Sequence, residues 1–161
     1  MSATGSPRSQ RPDRGADELE TSLIATIPRV MRHLLAHARR RATWKRLTYQ
    51  QYNVLRIIHS DGPVAQGEIA RRLFVTAPVV TRLAGSLEEA GLVERARDPN
   101  DRRSVRLTLT RSGRRRVAAM RRDLMEAARE LIEPLPEERR AAVAAALDEL
   151  QVLLPGRVTR P

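Results

Sequence analysis

The stretch that decides the fold is QGEIARRLFVTAPVVTRLAGSLEEAGLVERARDPNDRRSVRLTLTRSGR, residues 66–114. In its first half, apolar residues recur at helical spacing in two short segments, about 65–73 and 77–90. The turn FVT (74–76) separates them, and Gly91 stands where a helix commonly ends. The sequence therefore predicts a helix-turn-helix.

The second half of this stretch has the period of a β-strand. Val105, Leu107 and Leu109 alternate with polar residues, as in a strand with one buried face. LVERA (92–96) supplies the partner strand, and the intervening RDPNDRR (97–103) is rich in turn formers. We predict a β-hairpin with a charged tip directly after the helix-turn-helix, which is the order of a winged helix.

Helices are predicted on both sides of this unit. One covers about 17–43, with Pro28 as an expected kink or restart, and the next opens at a capping box of Thr48 and Gln51. Thr110 caps a helix that reaches about 131, and a last helix runs over 136–154. The first and the last two helices carry apolar stripes that a winged helix cannot cover. We expect these helices to pack against each other and against a second copy of the chain.

The predicted fold is mainly α with a small β-hairpin wing, and consists of a winged helix-turn-helix core plus terminal dimerisation helices. Residues 1–16 are expected to be a disordered basic tail, because they contain too few apolar residues to form a core. The domains that follow are an N-terminal dimerisation helix (17–47), the winged helix-turn-helix (48–110) and the C-terminal dimerisation helices (111–161).

Composition favours an anionic partner. The net charge is +11, and 92–122 alone holds eleven Arg against three acidic residues. The chain has no cysteine, which excludes thiolate chemistry, and its longest strongly apolar run, about 141–147, is too short to span a membrane. Since the start also lacks the apolar core of a signal peptide, we expect a cytoplasmic protein without a membrane partner.

The second helix of the helix-turn-helix has the pattern of a DNA-reading helix. Val80, Leu83 and Leu87 mark its inner face, and the opposite face is small and polar apart from one arginine. Little bulk near the bases, followed by an arginine that can bind guanine or phosphate, suits the major groove. An ordinary amphipathic surface helix would show a similar stripe. The candidate DNA-binding residues are Thr76, as the N-cap, with Pro78, Thr81 and Arg82.

The tip of the hairpin adds four candidates. Arg97, Arg102 and Arg103 suit contacts with phosphates or with the minor groove, where the negative potential is strongest. Asp101 could hold a neighbouring arginine by a charge-assisted hydrogen bond. The alternative is a solvated turn with incidental charge, but this turn directly follows the candidate reading helix.

The sequence resembles the MarR family (multiple antibiotic resistance regulators). The resemblance is carried by Asp101-Arg102-Arg103 followed by Leu109-Thr110, by the whole stretch 66–114, and by Leu47-Thr48 with Gln51. It covers about 17–154. It implies a triangular homodimer that regulates transcription on a pseudo-palindromic site in double-stranded DNA, with Arg103 the first candidate for the minor groove and Asp101 stabilising the wing.

This chain departs from the family's pattern at two places. Ala65 stands where Ser or Thr commonly caps the third helix, which should cost some stability. The reading helix begins Ala77-Pro78-Val79, which is less polar than usual in the family and leaves the operator sequence unpredictable.

Aromatic residues gather where the first two helices meet, and this corner is the candidate ligand site. In the family, small aromatic or anionic ligands often bind between the dimer helices and the winged domain. Simple packing at a helix corner is the alternative. The candidate ligand-binding residues are His37, Trp44, Tyr49 and Tyr52.

No metal or cofactor is expected. His33 and His37 have a spacing that can chelate a metal, but a structural zinc site usually needs four ligands and the chain has no cysteine. The sequence shows no phosphate-binding loop and no nucleophile motif, so an enzyme is not indicated. The function expected is a sequence-specific dimeric repressor released by a small ligand. The alternative is a non-specific architectural nucleic-acid binder.

Overall fold

The computed structural model describes residues 14–97 and 105–154, with side chains from Asp17 onward. The first helix, α1, spans Arg14–Ala38 and runs through Pro28 as one element. A short 3₁₀ helix, Ala42–Trp44, then turns the chain. Helix α1 thus begins three residues before Asp17, inside the segment predicted as a tail. Residues 1–13 lie outside the part of the chain that the structure describes.

Helix α2 (Tyr49–Asp61) opens at the predicted capping box. The Thr48 hydroxyl accepts a hydrogen bond from the Gln51 backbone, and the Gln51 side chain accepts one from the Thr48 backbone N–H at 2.8 Å. Two otherwise unpaired amides at the helix start are therefore satisfied. Gly62 follows the helix with a φ of 78°, in the left-handed region that glycine adopts without a steric penalty.

The helix-turn-helix is confirmed as α3 (Gln66–Leu73) and α4 (Ala77–Glu89). Phe74, in the turn between them, is 92% exposed and has a left-handed φ of 52°. Helix α4 ends in a Schellman motif: the Gly91 N–H donates to the Glu88 carbonyl and the Leu92 N–H to the Leu87 carbonyl. Gly91 has a φ of 67°, which explains why the helix ends there.

The predicted hairpin is also confirmed, and a third short strand joins it. The strands are β1 (Val64–Ala65), β2 (Val93–Arg97) and β3 (Val105–Leu109), antiparallel in the order β1-β3-β2. Strand β1 was not predicted, because two residues are too few to show a period; instead, Ala65 was expected to begin α3. Asp101, Arg102 and Arg103 lie outside the described residues.

Helix α5 (Arg111–Ile132) begins at the predicted cap, where the Thr110 hydroxyl accepts from the Gly113 N–H. It packs against α1, and Arg41, in the turn that follows α1, pairs with Glu126 of α5 at 3.1 Å. Helix α6 (Glu137–Leu153) follows, and none of its residues is buried. The predicted mainly helical fold with a hairpin wing is therefore confirmed.

The core lies between α2, α3, α4, α5 and the sheet. It is largely aliphatic, as the low aromatic content requires, and its largest fully buried side chains are Leu55, Ile58, Ile69, Leu87, Leu107, Met120, Val54, Val80, Val93 and Val117. No helix in the described part of the chain is long and apolar enough to cross a membrane.

Candidate nucleic-acid interface

Helix α4 divides into a buried and an exposed side. Val80, Ala84 and Leu87 are fully buried and fix the helix on the core. The predicted DNA-binding residues of this helix, Pro78, Thr81 and Arg82, are all exposed. The structure therefore brings these three candidates together on one accessible surface.

Thr76 stands at the N-cap of α4 as predicted, but its side chain makes no capping hydrogen bond. A capping side chain accepts from the second or third amide of the helix. Here the second residue is Pro78, which has no N–H, and the N–H of Val79 donates to the Thr76 carbonyl at 3.0 Å. The prediction of Thr76 as the N-cap is therefore confirmed by position, although its side chain makes no capping hydrogen bond.

The start of α2 lies beside the exposed side of α4. A shallow cavity of about 220 Å³ separates them, and Gln51 bridges it by donating from Nε2 to the Ser86 hydroxyl at 2.6 Å. Gln51 is 7% exposed. Sequence reasoning used Gln51 only as a cap and missed this bridge, because Ser86 is far away along the chain. The cavity is lined by Thr48, Gln50, Gln51, Val79, Arg82, Leu83 and Ser86.

The base of the wing is bonded to the same helix. Arg95 of β2 donates from Nη2 to the Thr81 carbonyl at 3.2 Å, and its Nε lies 2.9 Å from a carboxylate oxygen of Glu88. Sequence reasoning missed Arg95. The available signal was its position, since strand alternation places it on the same side as the buried Val93, where a charged group needs a partner. Arg97 is exposed at the far end of β2.

The predicted ligand residues lie at the junction of α1 and α2, and two of them belong to the core. Trp44 is 2% and Tyr52 is 5% exposed, with ring centroids 5.3 Å apart. Tyr49 stacks on Tyr52 at 6.1 Å, and burial raises the pKa of Tyr52. His37 lies 3.1 Å from Glu130 of α5. The aromatic rings therefore pack against each other at this corner, and a ligand role for them stays a prediction.

One polar group at this corner has no partner among the described residues. The indole Nε1 of Trp44 is buried without a hydrogen bond. Near this corner, a cavity of about 380 Å³ lies between the 3₁₀ helix and α5, where Arg116 donates to the Thr43 carbonyl at 2.9 Å. This cavity was not predicted, because it combines two segments that are distant along the chain. Its lining is Ala42, Thr43, Ser112, Arg115, Arg116 and Ala119.

His33 and His37, considered for a metal, have ring centroids 5.0 Å apart. Within the described ranges, no group of three or more His, Asp or Glu side chains is arranged to hold a metal ion.

Comparison with known proteins gives one consistent family. A MarR family sequence profile matches residues 47–104. The HTH-type transcriptional regulator TtmR of Methylorubrum extorquens is 41% identical over 86 residues, which cover 53% of this chain but only 40% of that protein. The chain thus spans less than half the length of this relative.

Two further similarities extend over more of the chain. The uncharacterized HTH-type transcriptional regulator Mb0904 of Mycobacterium bovis is 31% identical over 67% of this chain and 76% of its own length. The solved structure of a MarR family protein from Bacillus stearothermophilus superposes with a TM-score of 0.71 at 22% identity, covering 88% of this chain and 96% of that one. At this identity the structural likeness supports the fold alone.

Proposed function

Because this chain belongs to the MarR family, we propose that it is a transcription regulator that reads double-stranded DNA with helix α4. The observation that carries the proposal is the exposed side of α4, where Thr81 and Arg82 project while the opposite side is buried. The neighbouring residues Ala77, Pro78 and Gly85 are small. Such a helix fits the major groove, and Arg82 can donate two hydrogen bonds to a guanine or bind a phosphate.

The wing is proposed as a second contact with the same DNA. Arg97 is exposed at the end of β2 that leads into the tip. Together with Arg102 and Arg103 it would meet phosphates or enter the minor groove, and Asp101 would hold a neighbouring arginine in place. Because Arg95 bonds β2 to α4, a wing contact and a major-groove contact would belong to one DNA-binding surface.

A homodimer is proposed as the working form. Apolar side chains of α1, α5 and α6 are exposed, among them Ile24 (77%), Met125 (60%) and Leu153 (78%). Burying such groups against a second copy is favourable in proportion to the apolar area removed from water. A two-fold dimer carries two copies of α4, so its preferred operator would be pseudo-palindromic.

We also propose that the protein is a repressor that a small aromatic or anionic ligand releases from DNA. The two arginines that line the 380 Å³ cavity, Arg115 and Arg116, support a carboxylate-bearing ligand. An aromatic carboxylic acid from a diverse panel should weaken operator binding, and Arg115→Ala should blunt that effect. Arg111→Ala is the matched control, since Arg111 is an exposed neighbour on α5 outside the cavity. If no acid shifts the melting temperature or the DNA affinity, the ligand proposal fails.

To test whether Arg82 reads bases, the operator is first identified by selecting the fragments of the source genome that the protein binds. Arg82→Ala should cost about 1–3 kcal/mol of binding free energy per site and relax the preference at particular operator positions. Arg103→Ala should weaken binding with less change in base preference and should reduce the salt dependence. Each variant is titrated against the operator and its single-base variants at two salt concentrations.

Arg122→Ala is the control for charge, because Arg122 is exposed on α5, away from α4. If neither Arg82→Ala nor Arg103→Ala weakens binding more than this control, the proposed DNA surface is misplaced. A non-specific architectural binder is the second candidate, favoured by the net charge of +11. It would bind operator and scrambled DNA equally, with a steep salt dependence for both.

A further inference from the structure

The guanidinium of Arg95 contacts the reading helix α4 at two residues. Its Nη2 donates to the Thr81 carbonyl at 3.2 Å, and its Nε lies 2.9 Å from a carboxylate oxygen of Glu88. Between these two contacts it passes over Gly85, where a Cβ would lie 3.5 Å from Nη2. A methyl group at residue 85 would be in ordinary van der Waals contact with the guanidinium, so Arg95 lies directly beside α4 at Gly85.

Arg95 is more buried than its acidic partner. Its side chain is 29% exposed and that of Glu88 is 46% exposed; the buried Nε of Arg95 lies within ion-pair distance of Glu88 without a hydrogen bond, and Nη2 makes the hydrogen bond to Thr81. Partly buried charges are screened less by salt than exposed ones, and hydrogen bonds to a charged group are roughly twice as strong as neutral ones. Since Arg95 belongs to β2, these bonds connect the wing to the helix.

We propose that Arg95 is a positioning residue for DNA reading, and that it holds the wing strand β2 and helix α4 as one rigid body. The proposal rests on the proposed function, because it assumes that α4 and the wing contact the same DNA. A pre-organised surface loses less freedom on binding than one whose parts move separately. Breaking the connection would therefore weaken specific binding even though no contact with DNA is removed.

Substitution of Glu88 tests the proposal, because loss of its negative charge and loss of its contact with Arg95 should change the DNA affinity in opposite directions. Removing an acidic side chain beside a surface that binds a polyanion should strengthen binding by simple electrostatics. If Glu88 instead fixes Arg95, then Glu88→Gln should weaken binding. Glu89→Gln is the matched control: it makes the same charge change on the next residue of α4, which is exposed and has no ion pair within the described residues.

The full chain is titrated against the operator, against its single-base variants and against scrambled DNA of equal length. Glu88→Gln should lose at least about threefold in operator affinity and should discriminate less against the single-base variants. Glu89→Gln should bind as the wild type does or slightly more tightly. Circular dichroism and sedimentation are used to confirm that both variants keep the helical content and oligomeric state of the wild type.

Arg95→Lys distinguishes positioning from direct phosphate binding. A lysine keeps the charge but, as a single ammonium, cannot bridge Thr81 and Glu88. Positioning predicts weaker operator binding with an unchanged salt slope, whereas replacing a phosphate-binding arginine by lysine should preserve most of the affinity. The proposal is overturned if Glu88→Gln behaves like Glu89→Gln, or if Arg95→Lys binds as tightly as the wild type. If the wild type itself does not prefer the operator over scrambled DNA, the proposed function fails instead.

Discussion

Gly113, in the first turn of α5, lies against the backbone that follows α4. A Cβ built at Gly113 would be 1.9 Å from the carbonyl oxygen of Leu92 and 2.9 Å from its carbonyl carbon. Backbone atoms cannot rotate away as the end of a flexible side chain can. Glycine at residue 113 therefore allows α5 to pack against the backbone of Leu92, beside the base of the wing.

We expect Gly113→Ala to lower the free energy of unfolding by about 1–3 kcal/mol, because α5 or Leu92 must shift to make room. The measurement is urea unfolding followed by circular dichroism. Gly67→Ala is the control, since Gly67 is exposed in α3 and no atom lies within 4 Å of its Cβ position. That substitution should leave stability unchanged or raise it by up to about 1 kcal/mol. Equal effects of the two substitutions would contradict the steric argument.

At the scale of elements, helix α4 is held by polar bonds on two sides. From α2, Gln51 donates to the Ser86 hydroxyl; from β2, Arg95 bonds to the Thr81 carbonyl and to Glu88. The apolar contacts of the inner face are not directional, whereas hydrogen bonds fix orientation as well as distance. The buried apolar side of α4 determines which residues face outward, and these polar bonds add fixed contacts to α2 and β2.

Polar contacts with α5 come from the C-terminal end of α1, from the turn that follows it and from the 3₁₀ helix. His37 pairs with Glu130, Arg41 with Glu126, and the Thr43 hydroxyl with Asp123. Toward the N-terminus of α1, apolar side chains such as Ile24 are exposed. The element therefore has one part fixed to its own chain and another part with an uncovered apolar surface.

At the scale of the whole molecule, the uncovered apolar side chains of α1, α5 and α6 predict association. We expect sedimentation to show a dimer at micromolar concentration. Leu147→Lys should shift the protein toward monomer, because Leu147 is 54% exposed in a helix without buried residues and a charge there cannot be buried at low cost.

Ala145→Lys is the control for this prediction, since Ala145 is exposed about 160° away around α6. It should leave the dimer intact. A wild-type chain that sediments as a monomer would contradict the dimer, and equal loss of dimer in both variants would contradict the placement of the interface on the Leu147 side.

The sequence by itself determined the elements whose signals are local. Thr48 with Gln51, Thr110, and Gly91 mark helix ends because a cap requires partners only a few residues away. The alternation around Leu107 determined the hairpin, since successive side chains of a strand point to opposite faces. The exposed side of α4, with Thr81 and Arg82, followed in the same way from the period of a helix.

Only the tertiary structure decided the contacts between residues that are distant along the chain. The pairing of Val64 with Leu107 as a third strand, the bridge from Gln51 to Ser86, and the position of Arg95 across Gly85 leave no periodic signal in the sequence. A hydrogen-bond donor binds an acceptor that the fold brings within reach. For Gln51 and Arg95 that acceptor lies in another element, and it comes within reach only after the helices and the sheet have packed.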